Sequence, residues 1–345
     1  MKTVEVSHAN YWLSVWMRRG LVARLLWPLS LLFRLVVSVR RFGYRKGWFK
    51  SVRLPVPVVV VGNIFVGGTG KTPVVIWLVD VLKRAGFHPG VISRGYGASG
   101  NLPREVLHSS RPSEAGDEPL LIVQKTGCPL VVCRNRAEAG RHLLSLHPEV
   151  DIIVSDDGMQ HYALKRDVEI MLFDSRGGGN QWMLPAGPLR EPLSRKGDFT
   201  IINGRNYPSP GNPIYTPELY RMQLKNDRVE QLVDRNRCMR LADMQGEIVA
   251  AAGIGNPARF FNTLRQAGLS FSEMPLPDHF DFSFNPFAQV RADRILITEK
   301  DAVKCAQIAG LKDDGRLWVV PVRAEFDDNE PERRIVEKCR GCQIA

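Results

Sequence analysis

The sequence predicts an α/β fold: a parallel-sheet core of the P-loop NTPase type, a second and smaller α/β domain, and an N-terminal membrane-associated helix. Three observations predict it. A glycine-rich loop joins an apolar, β-branched stretch to a helix-like one near residue 70. Strand-like and helix-like segments then alternate up to about residue 203, the pattern of a largely parallel sheet covered by helices. The opening fifty residues are basic, apolar and aromatic. A chain of 345 residues holds one large or two ordinary domains and a substantial core. Pro208, Pro210, Pro213 and Pro217 mark a break. The expected division is therefore an anchor region over 1–50, a core over 51–210, a linker over 211–246 and a C-terminal α/β domain over 247–345.

The net charge of +11 is concentrated at the N-terminus, because no acidic residue occurs from Val6 to Val79. Nucleic acid and an anionic membrane both attract such a segment. Trp12, Trp16, Trp27, Phe33, Phe42, Tyr44, Trp48 and Phe49 lie among its leucines and valines, and favour the membrane. Drawn as a helix, Leu21, Leu25, Leu32, Leu35 and Val39 form one stripe, and most of the arginines lie opposite. Arg24, Pro28 and Arg34 interrupt the apolar stretch and argue against a full span. No small-residue cleavage site follows, so it does not read as a signal peptide. The competing reading is an amphipathic helix packed on the core.

Residues 56–61 read as a strand and 72–85 as a helix. Between them stands Gly67-Gly68-Thr69-Gly70-Lys71-Thr72, the strand, glycine loop and helix order of a phosphate cradle. The glycines let successive amides face one anion, and the helix N-terminus adds partial positive charge. Lys71 would reach the β/γ-phosphates and the Thr72 hydroxyl would hold Mg²⁺. Phe65 replaces the glycine that usually stands six residues before the lysine, and Val66 replaces the extra lysine of a related loop. Further strands are expected at 89–93, 130–133, 151–155, 169–173 and 199–203, with helices at 115–125 and 136–147. In the second unit a strand at 247–252 leads through Gly253-Ile254-Gly255-Asn256-Pro257 to a helix at 258–267. A strand at 294–298 precedes a last helix.

The strand at 151–155 ends in Asp156-Asp157, where a P-loop enzyme holds Mg²⁺ or its waters. Gln160 and His161 follow as candidates for phosphate or substrate contact. Asp117 stands in a Gly-Asp-Glu-Pro turn, and both a helix cap and a proton-accepting base fit it. Asp278-His279 fits a surface turn and an acid/base pair equally. Gly253-x-Gly255-x-x-Ala258 imitates a dinucleotide fingerprint, but Pro257 sits inside it. In Thr298-Glu299-Lys300-Asp301 the lysine is one place late for guanine recognition. Cys339 and Cys342 have ligand spacing without a second pair, so the six cysteines read as free thiols.

Taken together, Gly62-Asn63 with Gly67–Pro73, Ser93-Arg94-Gly95-Tyr96-Gly97, Gly116-Asp117-Glu118-Pro119, Asn135-Arg136 and Asp156-Asp157-Gly158-Met159-Gln160-His161 resemble a known family. So do Leu184-Pro185-Ala186-Gly187-Pro188-Leu189-Arg190-Glu191-Pro192, Ala252–Pro257, Asp278-His279 and Thr298–Lys304. Their order and spacing are similar to those of the tetraacyldisaccharide 4′-kinases, the lipid A 4′-kinases of Gram-negative bacteria. The resemblance implies transfer of the ATP γ-phosphate to the 4′-hydroxyl of a tetraacylated disaccharide 1-phosphate, with Mg²⁺. It implies Asp117 as base assisted by His279, Lys71 and Thr72 on the nucleotide, and Asp156 and Asp157 on the metal. It also implies a two-stranded linker, which places the two strands within 211–246, and a loop naturally lacking the first glycine. Arg94, Arg136, Arg190, Glu191, Gln160 and His161 are expected contacts to phosphate or sugar. The expected setting is peripheral, on the cytoplasmic face of the inner membrane, with an anionic lipid surface and a lipid disaccharide as partners. No nucleic acid and no obligate protein partner are expected. The rival class is a membrane-associated P-loop ATPase working as a partitioning or maturation switch.

Overall fold

In the computed structural model, residues 11–95, 102–204, 214, 216 and 218–342 are described. The proline cluster and Tyr96-Gly97 lie outside them. After helix α1 (Leu21–Arg45) come β1 (Val58–Gly62), α2 (Lys71–Arg84), β2 (Pro89–Ser93), β3 (Arg104–Glu105) and α3 (Asp117–Thr126). The first unit continues with β4 (Leu130–Val132), α4 (Arg136–Leu146), β5 (Ile152–Asp156), β6 (Val168–Asp174), β7 (Phe199–Asn203) and β8 (Leu219–Lys225). The described N-terminus of the chain is helical before α1, over residues 11–17.

Strand β1 lies inside the sheet, parallel to β5 on one side and β6 on the other. Its side chains alternate between two cores. Val59 and Val61 pack with Val75, Leu78 and Leu82 of α2, whereas Val58 and Val60 pack with Ala139 and Leu143 of α4. Burial on both faces is why these strands read as unbroken apolar runs rather than alternating ones. Register then assembles the site. Val61 pairs with Asp156, and Ile92 with Ser155, so the carboxyl ends of β1, β2 and β5 share one edge.

The second unit holds β9 (Arg228–Gln231), β10 (Cys238–Arg240), β11 (Ile248–Ala252), α5 (Pro257–Gln266) and β12 (Ser272–Pro275). It continues through β13 (Arg294–Thr298), α6 (Glu299–Cys305) and β14 (Leu317–Val320), and its sheet runs β10-β9-β14-β13-β11-β12. The chain then returns. Strand β15 (Arg323–Phe326) pairs antiparallel with β8, completing the first sheet as β15-β8-β7-β6-β1-β5-β2-β4-β3. Helix α7 (Glu330–Arg340) buries Ile335, Val336 and Cys339 in the first core.

This moves the expected boundaries. β9 and β10, assigned to the linker 211–246, belong to the second sheet. The tail of 247–345 belongs to the first unit, because β8 offers an open edge and α2 an apolar surface, where Trp77 meets Phe326 at 4.2 Å between ring centroids. The two strands that lead between the units are thus β8 and β15, far apart in sequence.

Helix α1 runs unbroken through Pro28. Ala23 and Ser30 are buried beneath it, Phe33 and Val37 pack on the α4 side of the sheet, and Ser30 donates to the Met183 carbonyl at 2.7 Å. The predicted stripe faces outward: Leu21 and Leu25 are each 79% exposed, and Leu32, Leu35 and Val39 are all over half exposed. A core-packed amphipathic helix would show the reverse. Its most apolar window has mean hydropathy 1.7 and is 11% buried, so it is long and apolar enough to cross a membrane by composition.

Candidate active site

The glycine loop is held open by side chains that take its carbonyls. Buried Asn63 donates through Nδ2 to the Gly67 carbonyl at 3.2 Å and the Thr69 hydroxyl at 3.0 Å. Asn203 at the end of β7 donates to the Thr69 carbonyl at 3.0 Å, and Arg176 to the Gly68 carbonyl at 2.9 Å. The amides of Gly67, Gly68, Thr69 and Gly70 have no internal partner among the described residues. An anion is what such amides recognise. Gly70 begins α2 with φ +95°, and a Cβ there would lie 2.8 Å from Asn203 Nδ2. Phe65, in place of the usual glycine, is buried, with the Arg176 guanidinium 4.4 Å from its ring centroid.

Across the loop stand two carboxylates, Asp156 at the end of β5 and Asp157 just after it. Lys71 Nζ is 3.6 Å from Asp157 Oδ1, and Arg190 reaches the same oxygen at 3.5 Å. Burial raises the pKa of Asp157, but the Lys71 and Arg190 charges outweigh it and hold the carboxyl below its usual range. Its φ of +48° is rare for a residue with a side chain and is held by these contacts. Asp156 is the opposite case. It is fully buried, Ser93 donates to its Oδ2 at 3.0 Å, and its Oδ1 has no partner among the described residues. Burial first, then the charges of Glu118 and Asp157, push its pKa up to about 6. A buried carboxylate with one unpartnered oxygen is a hard donor short of a cation, and Mg²⁺ fits it; Thr72, buried in the first turn of α2, is the loop's own oxygen donor.

The second carboxylate centre joins the two units. Asp117 is the first residue of α3, after Gly116 at the cap position, and α3 packs against α6. His279 Nδ1 lies 3.2 Å from Asp117 Oδ2, and Lys304 Nζ 3.8 Å from the same oxygen. Burial opposes charge on Asp117, yet the His279 bond and the Lys300 and Lys304 charges hold its carboxyl below the ordinary value. That bond with Asp117 in turn raises the His279 pKa above 6.5. Glu118 pairs with Lys300, whose ammonium also senses Asp117 and Asp156. The two carboxylate centres therefore form one electrostatic cluster at the strand ends.

The remaining candidates separate. Arg94 is exposed at the end of β2. Arg136 is buried, and its guanidinium donates to the Cys133 and Asp156 carbonyls at 2.9 and 3.2 Å, so it braces β5 instead of facing a ligand. Glu191 is also buried, accepting from Tyr162 and Arg195 at 2.5 Å each and from Gln160 at 2.9 Å. Gln160 also donates to the Asn63 carbonyl at 3.2 Å. Burial, with Arg136, Arg166, Arg40 and Arg94 around it, drives the His161 pKa down to about 4, and its Nε2 accepts the Arg136 amide at 3.4 Å. The Gly253 loop is filled by a carboxylate, since Asp301 Oδ2 accepts the Gly253 amide at 3.0 Å and the Thr298 hydroxyl at 2.7 Å. Among the described residues no group of three or more His, Cys, Asp or Glu side chains forms a metal cluster. Asn63, Ser93, Arg176, Lys300 and Lys304 received no role from the sequence. Ser93 and the two lysines lie in motifs that carry the resemblance, and the i, i+4 spacing of the lysines on α6 hinted at a shared face.

A glycine loop at the switch between parallel strands, with a basic residue and carboxylates converging on it, defines a P-loop nucleotide-binding protein with an added α/β unit. The family model described as tetraacyldisaccharide-1-P 4′-kinase (LpxK) matches residues 22–340, and the chain belongs to this family. It is 57% identical over 337 residues to a tetraacyldisaccharide 4′-kinase of Janthinobacterium sp. (strain Marseille), with 96% of each chain covered. With the enzyme of the same name from Herminiimonas arsenicoxydans the identity is 56% over 344 residues, covering 96% of this chain and 95% of that one. The crystal structure of LpxK from Aquifex aeolicus in complex with ATP is 28% identical. It superposes with a TM-score of 0.75 over 92% of this chain and 99% of that chain.

Proposed function

We propose that this protein transfers the γ-phosphate of ATP to the 4′-hydroxyl of a tetraacylated disaccharide 1-phosphate at a membrane surface. The observation that carries the reading is the Asp117–His279 pair, contributed by opposite units and joined electrostatically to the carboxylates facing the glycine loop. The family and the ATP-bound relative supply the nucleotide and acceptor class. Lys71 and the loop amides bind the polyphosphate. Thr72, Asp156 and Asp157 would hold Mg²⁺, which when bound supplies charge neutralisation on the phosphates. Asp117 orients the sugar hydroxyl and accepts its proton, and His279 holds that carboxylate in place and shares the proton. Arg190 keeps Asp157 in its left-handed conformation, while Arg136 and Glu191 stiffen the walls from within. Arg94 and neutral His161 contact substrate.

The acyl chains call for an interface, and α1 supports one. Its outward leucines make a broad apolar face, with Arg18, Arg24 and Arg34 exposed on the same segment. Because Ala23, Ser30, Phe33 and Val37 tie the helix to the core along its length, it rests against the protein and immerses one face. This favours a peripheral position on the cytoplasmic side of the inner membrane. Detergent-solubilised protein given γ-³²P-ATP and tetraacyldisaccharide 1-phosphate should yield a labelled bisphosphorylated lipid only with Mg²⁺. ATP turnover without labelled lipid would replace the kinase with a switch ATPase.

A further inference from the structure

His279 stands beyond the carboxyl end of β11, where its amide donates to the Gly253 carbonyl at 3.1 Å. A cavity of about 370 Å³ opens at the other end of the same sheet, a strand's length away. Local pairing builds it. The Gln231 amide donates to the Arg237 carbonyl at 2.9 Å, closing the β9–β10 turn, and Trp318 of β14 pairs with Gln231. The turn thereby lays the Arg237 guanidinium over the Trp318 indole, 5.8 Å from its ring centroid. Arg294, the first residue of β13, lines the same cavity from the strand beside β14.

Neither Arg237 nor Arg294 has a carboxylate within ion-pair distance among the described residues. Their acceptors are neutral: the Gln231 side-chain oxygen at 3.5 Å from Arg237, and the Gln245 carbonyl for Arg294. Trp318 is only 3% exposed, yet its indole N–H donates to nothing among the described residues. A buried indole N–H ordinarily finds an acceptor. The one carboxylate of the wall, Asp293, accepts the Glu247 amide through Oδ2 at 2.8 Å. Two guanidinium groups against one carboxylate leave the cavity one positive charge in excess.

We propose that this cavity is a binding site for a phosphate monoester, separate from the nucleotide and acceptor sites. Such an ester presents three terminal oxygens, enough for two guanidinium groups and an indole N–H, whereas a carboxylate presents two. The volume exceeds that of a bare phosphate and lies at the lower end of small-molecule pockets, which leaves room for a sugar. Asp293 stands ready to accept from its hydroxyls. An arginine that merely packs on an indole would need neither a second guanidinium beside it nor an unpartnered N–H beneath it. Nothing in the glycine loop takes part, so the site stands whatever that loop binds.

The test is ligand-observed ³¹P NMR of ribose 5-phosphate with full-length protein in detergent and chelator. Binding should saturate with a dissociation constant of about 1 mM or below, and neutral ribose should not compete. Arg237→Gln and Arg294→Gln should each weaken it about tenfold, the loss of one charge-assisted pair of bonds, and leave the melting temperature in place. Arg237→Lys, which keeps the charge without the fork, should recover part of the affinity, a rescue that damage to the fold would not allow. AMP added to Lys71→Ala protein separates the sources. Competition equal to that of ribose 5-phosphate upholds the site with a nucleotide as its ligand, and weaker competition upholds it with a sugar phosphate. Binding that survives both arginine changes but disappears in Lys71→Ala belongs to the glycine loop and overturns the inference. The absence of saturable binding overturns it too, as does displacement by succinate at equal concentration.

Discussion

Replacing Asp156 by asparagine should stabilise the metal-free protein while abolishing phosphoryl transfer. The carboxyl titrates near 6 in the folded state against 3.8 for a free aspartate, because it is fully buried near Glu118 and Asp157. A raised carboxyl pKa means that the folded state binds more protons than the unfolded one between those values, so stability falls as pH rises through the window. Once the group is fully charged, above about pH 7, the cost to folding is about 3 kcal/mol, and at pH 5 it is about half that. Asparagine is neutral, as the protonated acid is, and presents its oxygen to Ser93 in the place of Oδ2. With an unfolding entropy of roughly 0.7 kcal/mol per kelvin for a chain of this size, the melting temperature at pH 8 should rise by about 4 °C. The assay is scanning fluorimetry in detergent with chelator at pH 8 and pH 5. Added Mg²⁺ and ATP should stabilise the wild type more than the variant, since a bound cation relieves the same charge. An unchanged or lower melting point at pH 8, or an equal gain at both pH values, would refute the argument that this carboxylate is held at a cost for a cation.

Further outcomes are expected. Asp117→Asn should lower kcat by about 10²–10⁴-fold with little change in the ATP dissociation constant. The kcat of the wild type should rise with pH through the raised His279 value, above 6.5, as the imidazole loses its proton, and His279→Ala should erase that limb. By the same sign, the Asp117–His279 contribution to holding the units together is complete below pH 6.5 and fades as pH rises past the folded value. Glu191→Ala should destabilise the protein by about 3 kcal/mol through the stranded Arg195, whose other partner is Glu169 at 2.6 Å. A rise in acceptor KM at unchanged stability would instead make Glu191 a substrate ligand. Leu25→Asp with Leu32→Asp should reduce vesicle binding by about a hundredfold, from roughly 3 kcal/mol of lost apolar burial, and equal flotation would reject the interfacial face.

The local chemistry was written in the sequence. Backbone need dictates glycine in the loop, as Gly70 at φ +95° shows, and a strand buried on both faces must be apolar from end to end, as residues 58–61 are. Those constraints act between neighbours in the chain, so spacing alone revealed the loop, the strand that follows it in the site and the outward stripe of α1. What required the tertiary structure was every relation between distant segments. Asp117 and His279 are 162 residues apart and meet only because α3 packs on the second unit. Arg136 and Glu191 carry charges that composition assigns to the surface, yet the fold turns them inward, where Arg136 donates to the Asp156 carbonyl 20 residues on and Glu191 accepts from Tyr162 29 residues back. The return of β15 and α7 to the first unit was hidden for the same reason. An antiparallel edge pairing is settled by which edge remains open after the rest has folded, and no local pattern encodes that.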